Sequence, residues 1–189
     1  MDHQNRSRKE TAPAPGALSR RNLISGIVAA AAVPTLLSQA SGTPAGNTRR
    51  TDLPPAEALP RSLHSAAVMG DGSVIVTGGQ FQGVLADAQI FNPSTGHWGT
   101  AAQMNTPRYG HAMAVLSPTT VAVFGGMGTA HEPISDVEIY DAATDTWMPA
   151  NPLLLPRHQH TATLMGDGSV LIAGGMFRGT MADIEIYIP

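Results

Sequence analysis

Three histidines stand where a metal-ligating trio would be sought. His64, His111 and His160 follow one another at intervals of 47 and 49 residues. Each closes the same short phrase: Arg61-Ser-Leu-His64, Arg108-Tyr-Gly-His111 and Arg157-His-Gln-His160. Imidazoles converging on one point could ligate a transition metal. Carboxylates recur as well, at Asp87, Asp136 and Asp183. Side chains that return once per repeat are more economically explained by the repeat itself. The spacing therefore predicts histidines bonded each within its own unit, aspartates capping turns or strands, and arginines anchoring the passage from one unit to the next. No Ser-His-Asp spacing, HExxH, phosphate loop or motif-placed pair of carboxylates accompanies them, and the chain has no Cys. That excludes disulfides, thiolate metal sites and a Cys nucleophile. No cofactor and no metal site is expected, and catalysis is the less favoured reading.

The elements that must position these residues follow from the same period. A glycine pair lies 17 residues after each arginine: Gly78-Gly79, Gly125-Gly126 and Gly174-Gly175. An Asp-x-x-Ile-aromatic block comes next, ending at Phe91, Tyr140 and Tyr187, and Trp98 and Trp147 follow the first two by seven residues. Each unit reads as four short strands. Strand a is predicted over His64–Met69, His111–Leu116 and His160–Met165. Strand b is predicted over Ser73–Thr77, Thr120–Phe124 and Ser169–Ala173, rich in β-branched residues. Strand c is the Asp-to-aromatic block, and strand d surrounds the Trp. Gly70-Asp71-Gly72 and Gly166-Asp167-Gly168 are hairpin turns, since Gly accepts the positive φ that such turns need. Nothing in 61–189 has helical periodicity.

These residues resemble the kelch repeat, whose markers are the double glycine, the spaced Tyr and Trp and the Arg-x-x-His opening. The resemblance covers 61–189, as repeats 61–107, 108–156 and 157–189. The run from Asp167 to Gly175 looks especially like bacterial kelch proteins and the central domain of galactose oxidase. The resemblance implies an all-β fold of kelch-type β-propeller blades, each a four-stranded sheet set around a central channel. On that fold the glycine pairs keep the space beside strand b clear, and Phe91, Trp98, Tyr140, Trp147 and Tyr187 fill the gaps between blades. Galactose-oxidase-like enzymes use copper with a Tyr crosslinked to a Cys, which a chain without Cys cannot form.

About three blades are present, whereas propellers close with about four to eight. The expectation is a partial propeller or half of an oligomeric ring. Residues 48–60 resemble a degenerate strand d that could complete the third blade. Two chains could pair into a six-bladed homodimer, the chain could be a truncated remnant, or it could persist as an arc or bind another partner.

Residues 1–40 read as an export signal. A basic head of net charge +3 (1–22) precedes an apolar run from Leu23 to Leu37, and Ser38-Gln39-Ala40 has the small-x-small form of a cleavage site. The run is shorter than the ~20 residues of a membrane-spanning helix, so no membrane anchor is expected after cleavage. Ser19-Arg20-Arg21-Asn22-Leu23-Ile24 resembles the twin-arginine motif of bacterial export, with Ser25 where a Lys usually stands. The expected location is periplasmic or extracellular. Residues 41–60 look like a linker. The whole chain of 189 residues carries 11 basic and 14 acidic side chains, a charge of −3; beyond residue 40, six arginines face twelve acids, a charge of −6. This argues against nucleic-acid partners and polyphosphates.

The antiparallel order puts the short a–b and c–d turns at one end of each blade and the longer b–c loops, 80–86, 127–135 and 176–182, at the other. Gln80, Phe81, Gln82, His131, Glu132, Phe177 and Arg178 on those loops are the candidate ligand-binding residues, a mix of polar, aromatic and charged groups suited to a sugar or a peptide. The expected function is an exported binding or interaction module for a glycan or protein ligand. The alternative is a carbohydrate-acting propeller enzyme, of epimerase type or a degenerate oxidase relative.

Overall fold

The computed structural model describes residues 58–189. The export signal, and all but the last three residues of the segment 48–60, lie outside the described residues. Residues 58–60 form no strand.

Three antiparallel sheets follow one another along the chain, and the described residues contain no helix. The first holds β1 (Ser65–Val68), β2 (Val74–Thr77), β3 (Ala88–Asn92) and β4 (His97–Ala101) in sequential order. The second holds β5 (Ala112–Val115), β6 (Thr120–Phe124), β7 (Val137–Asp141) and β8 (Thr146–Ala150), again in order. The third has three strands, β9 (Thr161–Leu164), β10 (Val170–Ala173) and β11 (Ile184–Tyr187). Predicted and observed strands coincide in place, with strand a one residue shorter at each end in every unit. The flanking residues His64 and Met69 are drawn into the turns.

Local chemistry explains the hairpins. Asp71 Oδ1 accepts hydrogen bonds from the Ser73 N–H (2.9 Å) and hydroxyl (2.6 Å), while Gly72 takes φ +84°. Asp167, Ser169 and Gly168 rebuild this turn in the third sheet. In the c–d turn Asn92 Oδ1 accepts the Ser94 N–H at 2.9 Å, and Gly96 is left-handed. Aspartate at the turn's first position and glycine at the left-handed one are the residues these geometries favour.

Alternation along each strand sends one set of side chains to each face, and rows form across the sheet. In the second sheet the row Val115, Val121, Tyr140 and Trp147 faces the first sheet, where it meets Ile75, Ile90 and Ala88. Ala122, Phe124, Val137 and Ile139 face the third sheet and meet Val170, Ile172 and Tyr187. The core therefore comprises two apolar layers, each between successive sheets. The Tyr140 and Trp147 rings lie 5.1 Å apart, Phe124 and Tyr187 meet edge to face at 5.2 Å, and the Trp147 Nε1–H donates to the carbonyl of Ala102, just beyond β4, at 2.8 Å. Buried indoles need such a partner. This is side-by-side packing of propeller blades, and the three sheets are hereafter blades 1, 2 and 3.

Candidate functional site

The repeat arginines fix the scaffold. Arg108 is fully buried; its Nη1 donates to the carbonyls of Gly125 (2.9 Å) and Asp136 (2.7 Å), and its Nη2 reaches Glu138 Oε1 at 2.6 Å. Arg61 makes the same pair of backbone bonds, to Gly78 (3.1 Å) and Asp87 (3.3 Å), and pairs with the Asp87 carboxylate and Gln89. Arg157 does so with Gly174 and Asp183, with Glu185 at 3.7 Å. Each guanidinium thus ties the start of strand a to the end of strand b and the start of strand c in its own blade. Five rigid donors suit a cluster of carbonyls and one carboxylate. They are structural anchors, buried among the main-chain carbonyls of their own blades.

The glycine pairs do two jobs. In the first two pairs the second glycine donates its N–H to the next blade's arginine carbonyl: Gly79 to Arg108 (2.9 Å) and Gly126 to Arg157 (2.8 Å). The first glycine leaves room for that approach, since a Cβ on Gly125 would sit 2.5 Å from the Arg157 oxygen and 3.1 Å from the His160 ring.

The histidines depart from the expectation that each is bonded within its own unit. His111 Nε2 lies 2.9 Å from Thr77 Oγ1 of the preceding blade, and its carbonyl accepts the Ser65 hydroxyl of that blade at 2.6 Å. The histidine at this position therefore belongs to the seam between blades. The corresponding residue facing His160 is Phe124. The Phe124 main chain lies beside that ring, and both ring nitrogens are buried without a hydrogen-bond partner among the described residues. Burial first, then the neighbouring Arg108 and the other two histidines, hold His111 well below the usual imidazole range. Burial and Arg157 bring His160 to about 3. Burial and Arg61 lower His64 as well. The His111 and His160 rings are neutral spacers at ordinary pH, and among the described residues no group of His, Asp or Glu is arranged to hold a metal ion.

The variable surface lies at the b–c end. Gln80, Phe81, Gln82 and His131 line one hollow of about 460 Å³, together with Gly83, Val84 and Thr129. It spans the loops of blades 1 and 2. Phe81 is 43% exposed there. The Phe81 N–H donates to the Gly83 carbonyl at 3.0 Å, curling the loop so that Gln82 sits at φ +55°. Phe177-Arg178-Gly179 repeats this tip, with Arg178 at φ +54° and its guanidinium 5.2 Å from the Phe177 ring centre. That pair belongs to blade 3 and does not line the hollow. Glu132 is exposed beside His131 and does not line it either. Left-handed non-glycine residues carry a backbone cost and gather where a surface is held for use.

Tyr109 is the residue sequence reasoning passed over. Its hydroxyl lies 3.1 Å from His131 Nδ1, fixing the imidazole at the rim. Ser62, Tyr109 and His158 occupy the position after each arginine, and each is bridged to the first residue of its own b–c loop: Gln80, Met127 and Met176. The signal was available: within Arg-x-x-His the two middle positions vary while the ends repeat, as a ligand surface on a fixed scaffold would.

Comparison with known proteins agrees with this architecture. The family model described as the KLHDC2/KLHL20/DRC7 Kelch-repeats domain matches residues 47–175. Human Kelch-like protein 34 is 39% identical over 95 residues, 46% of this chain and 14% of that protein's length. The chain thus corresponds to a small part of that relative. Three successive β-sheet blades, arginine and double-glycine seams at a fixed period and a family match over well over half of the sequence lead to one statement: the chain belongs to the kelch-repeat family, whose domains are generally protein-interaction modules.

Proposed function

We propose that this kelch domain binds a peptide segment of a protein partner at the b–c end, in the hollow between the Phe81 loop and the His131 loop. The observation carrying this reading is the contrast between the two ends of the blades. At one end the turns are tight and satisfied by their own Asp and Asn side chains. At the other, an exposed phenyl ring, two carboxamides and a Tyr-braced imidazole surround one concavity. Aromatic side chains with few rotatable bonds are effective anchors, and amides supply adaptable hydrogen bonds to a peptide main chain. His131, unlike the buried seam histidines, is solvent-facing. A glycan is the competing ligand.

Selection of a displayed random-peptide library on the 189-residue chain tests this. Enriched peptides are expected to lose at least tenfold in affinity with Phe81→Ala or Tyr109→Phe, and to bind Ser94→Ala, at the opposite end, as they bind the unaltered chain. Peptides indifferent to both mouth substitutions, or a glycan array giving Phe81-dependent spots while peptides fail, would overturn it. Export is part of the same proposal, resting on Arg20-Arg21 and the apolar run after them. Fusing residues 1–40 to a folded reporter should move it out of a bacterial cytoplasm, and Arg20→Lys with Arg21→Lys should retain it.

A further inference from the structure

The seam between blades is built from three backbone hydrogen bonds that occur in both copies within the chain. The second glycine N–H donates to the next arginine carbonyl, as above. The arginine N–H donates back to the b–c loop, Arg108 to Leu85 (3.1 Å) and Arg157 to Ile134 (3.3 Å). The left-handed residue two beyond the arginine donates to its counterpart, Gly110 to Leu63 (2.8 Å) and Gln159 to Gly110 (2.7 Å). Among the described residues, each member of this set is without a main-chain partner at one of the two ends of the arc. Blade 3 presents the Gly175 N–H and the carbonyls of Met181 and Gln159. Blade 1 presents the Arg61 carbonyl and the N–H groups of Arg61 and Leu63. Every donor on one end has its acceptor on the other.

The apolar rows match in the same way. The face of blade 3 away from blade 2 carries Ile184 and Ile186, 70% and 51% exposed, at the positions where Ala88 and Ile90 of blade 1 are covered by blade 2. The outer face of blade 1 carries the row Val68, Val74, Phe91 and Trp98, with Val68 58% exposed. That row corresponds to the covered Val115, Val121, Tyr140 and Trp147. Thr161 of blade 3 also keeps the hydroxyl of Ser65, which at the first seam reaches the His111 carbonyl; Ala112 lacks it at the second. At a third seam that carbonyl would be His64. One departure exists: Ala173 stands where Thr77 would offer a hydroxyl to the ring.

We propose that a second copy of this chain covers both faces, blade 3 of each packing head to tail on blade 1 of the other at two equivalent seams. Two such seams relate the copies by a two-fold axis and close a ring of six blades, within the range propellers use. The exposed Val68, Ile184 and Ile186 and all six main-chain groups are then used, as their counterparts are inside the chain. The argument rests on the continuation of an interface already present twice, and needs no ligand at the mouth.

Size-exclusion chromatography with light scattering on the 189-residue chain, at micromolar concentration, should give about twice 19.6 kDa. Ile186→Glu and Val68→Arg alter side chains that are exposed in the arc, so each should fold, by far-UV circular dichroism, yet run at single-chain mass. Mixing the two variants should restore the double mass. The mixed pair has one unaltered seam and one where the introduced charges are opposite; a face-to-face dimer has no such arrangement. If either variant fails to fold, Leu63→Cys with Gln159→Cys serves instead, since no other cysteine is present. Mild oxidation should then yield one covalent dimer band. Single-chain mass for the unaltered protein, a mixture that stays monomeric, or a ladder of higher species would overturn the closed head-to-tail ring.

Discussion

Phe91 with Trp98 in blade 1, and Tyr140 with Trp147 in blade 2, are the same construction in two settings. Ring centres are 5.2 and 5.1 Å apart, with interplanar angles of 47° and 38°. The geometry thus comes from c–d strand pairing, which places the rings opposite one another in both sheets. Burial does not. Tyr140 and Trp147 are 2% and 8% exposed because blade 1 lies over them, while Phe91 and Trp98 are half-covered. A blade sets its own shape and borrows its stability from neighbours, as in other repeat architectures where interface terms dominate.

The sharpest way to break this comparison is a methyl group. Gly125→Ala would place a Cβ 2.5 Å from the Arg157 carbonyl, at φ +56°, in the middle of a seam. The neighbour is main chain and cannot swing aside, so the expected loss is on the order of 4 kcal/mol or more, at the exceptional end for one substitution. Gly174→Ala at the equivalent place meets, among the described residues, nothing nearer than the Met181 carbonyl at 3.8 Å. Within one chain it carries only the left-handed backbone cost, about 1–2 kcal/mol. Urea titrations of dilute, monomeric protein should separate the two midpoints clearly. Equal losses would mean that the glycine pair serves backbone conformation alone.

Removing the indole gives the next largest contrast. Trp147→Ala deletes a buried ring and its bond to the Ala102 carbonyl, for roughly 3–5 kcal/mol. Trp98→Ala removes a half-covered ring, and the expected loss is about half as great, following the area buried. Thermal unfolding of both variants at low concentration checks this. Should the two losses converge only at high concentration, the outer row of blade 1 is covered there by another copy.

The period made the unit legible. The Gly pairs, the Asp-x-x-Ile-aromatic blocks and the two tryptophans set eleven strands in nearly their observed places, because each marker answers a local demand of a hairpin or a ladder. Spacing alone carried less about what lies between units. It did not reveal that His111 bonds to Thr77 across a seam, since a repeat states what recurs and not which neighbour it touches. Tyr109 was missed for a related reason. Its role depends on a loop 22 residues away that is two residues longer in blade 2 than in its neighbours.

The histidines sharpen the comparison last and most finely. His111 and His160 sit in consecutive seams, the first hydrogen-bonded to Thr77, the second, among the described residues, without a partner for either ring nitrogen. Both are neutral in the folded protein, held below the ordinary range mainly by burial, with His160 at about 3. In the unfolded chain each titrates near 6.5. Above that pH neither state binds the proton and stability is fully present. Below it the unfolded chain gains protons that the folded chain refuses, so stability falls as pH drops, by at most about 1.4 kcal/mol per pH unit for each ring. For His160 the decline continues until pH nears its folded value. The fall between pH 6.5 and 5, where most carboxylates are still ionised, should therefore be shallower in His160→Gln by close to one proton's slope. Thr77→Val removes the hydroxyl that His111 faces while leaving its ring buried, and should lower stability at pH 7 without changing that slope. A slope unaffected by His160→Gln would mean that water reaches the second seam and that the two seams differ more in solvation than in side chains.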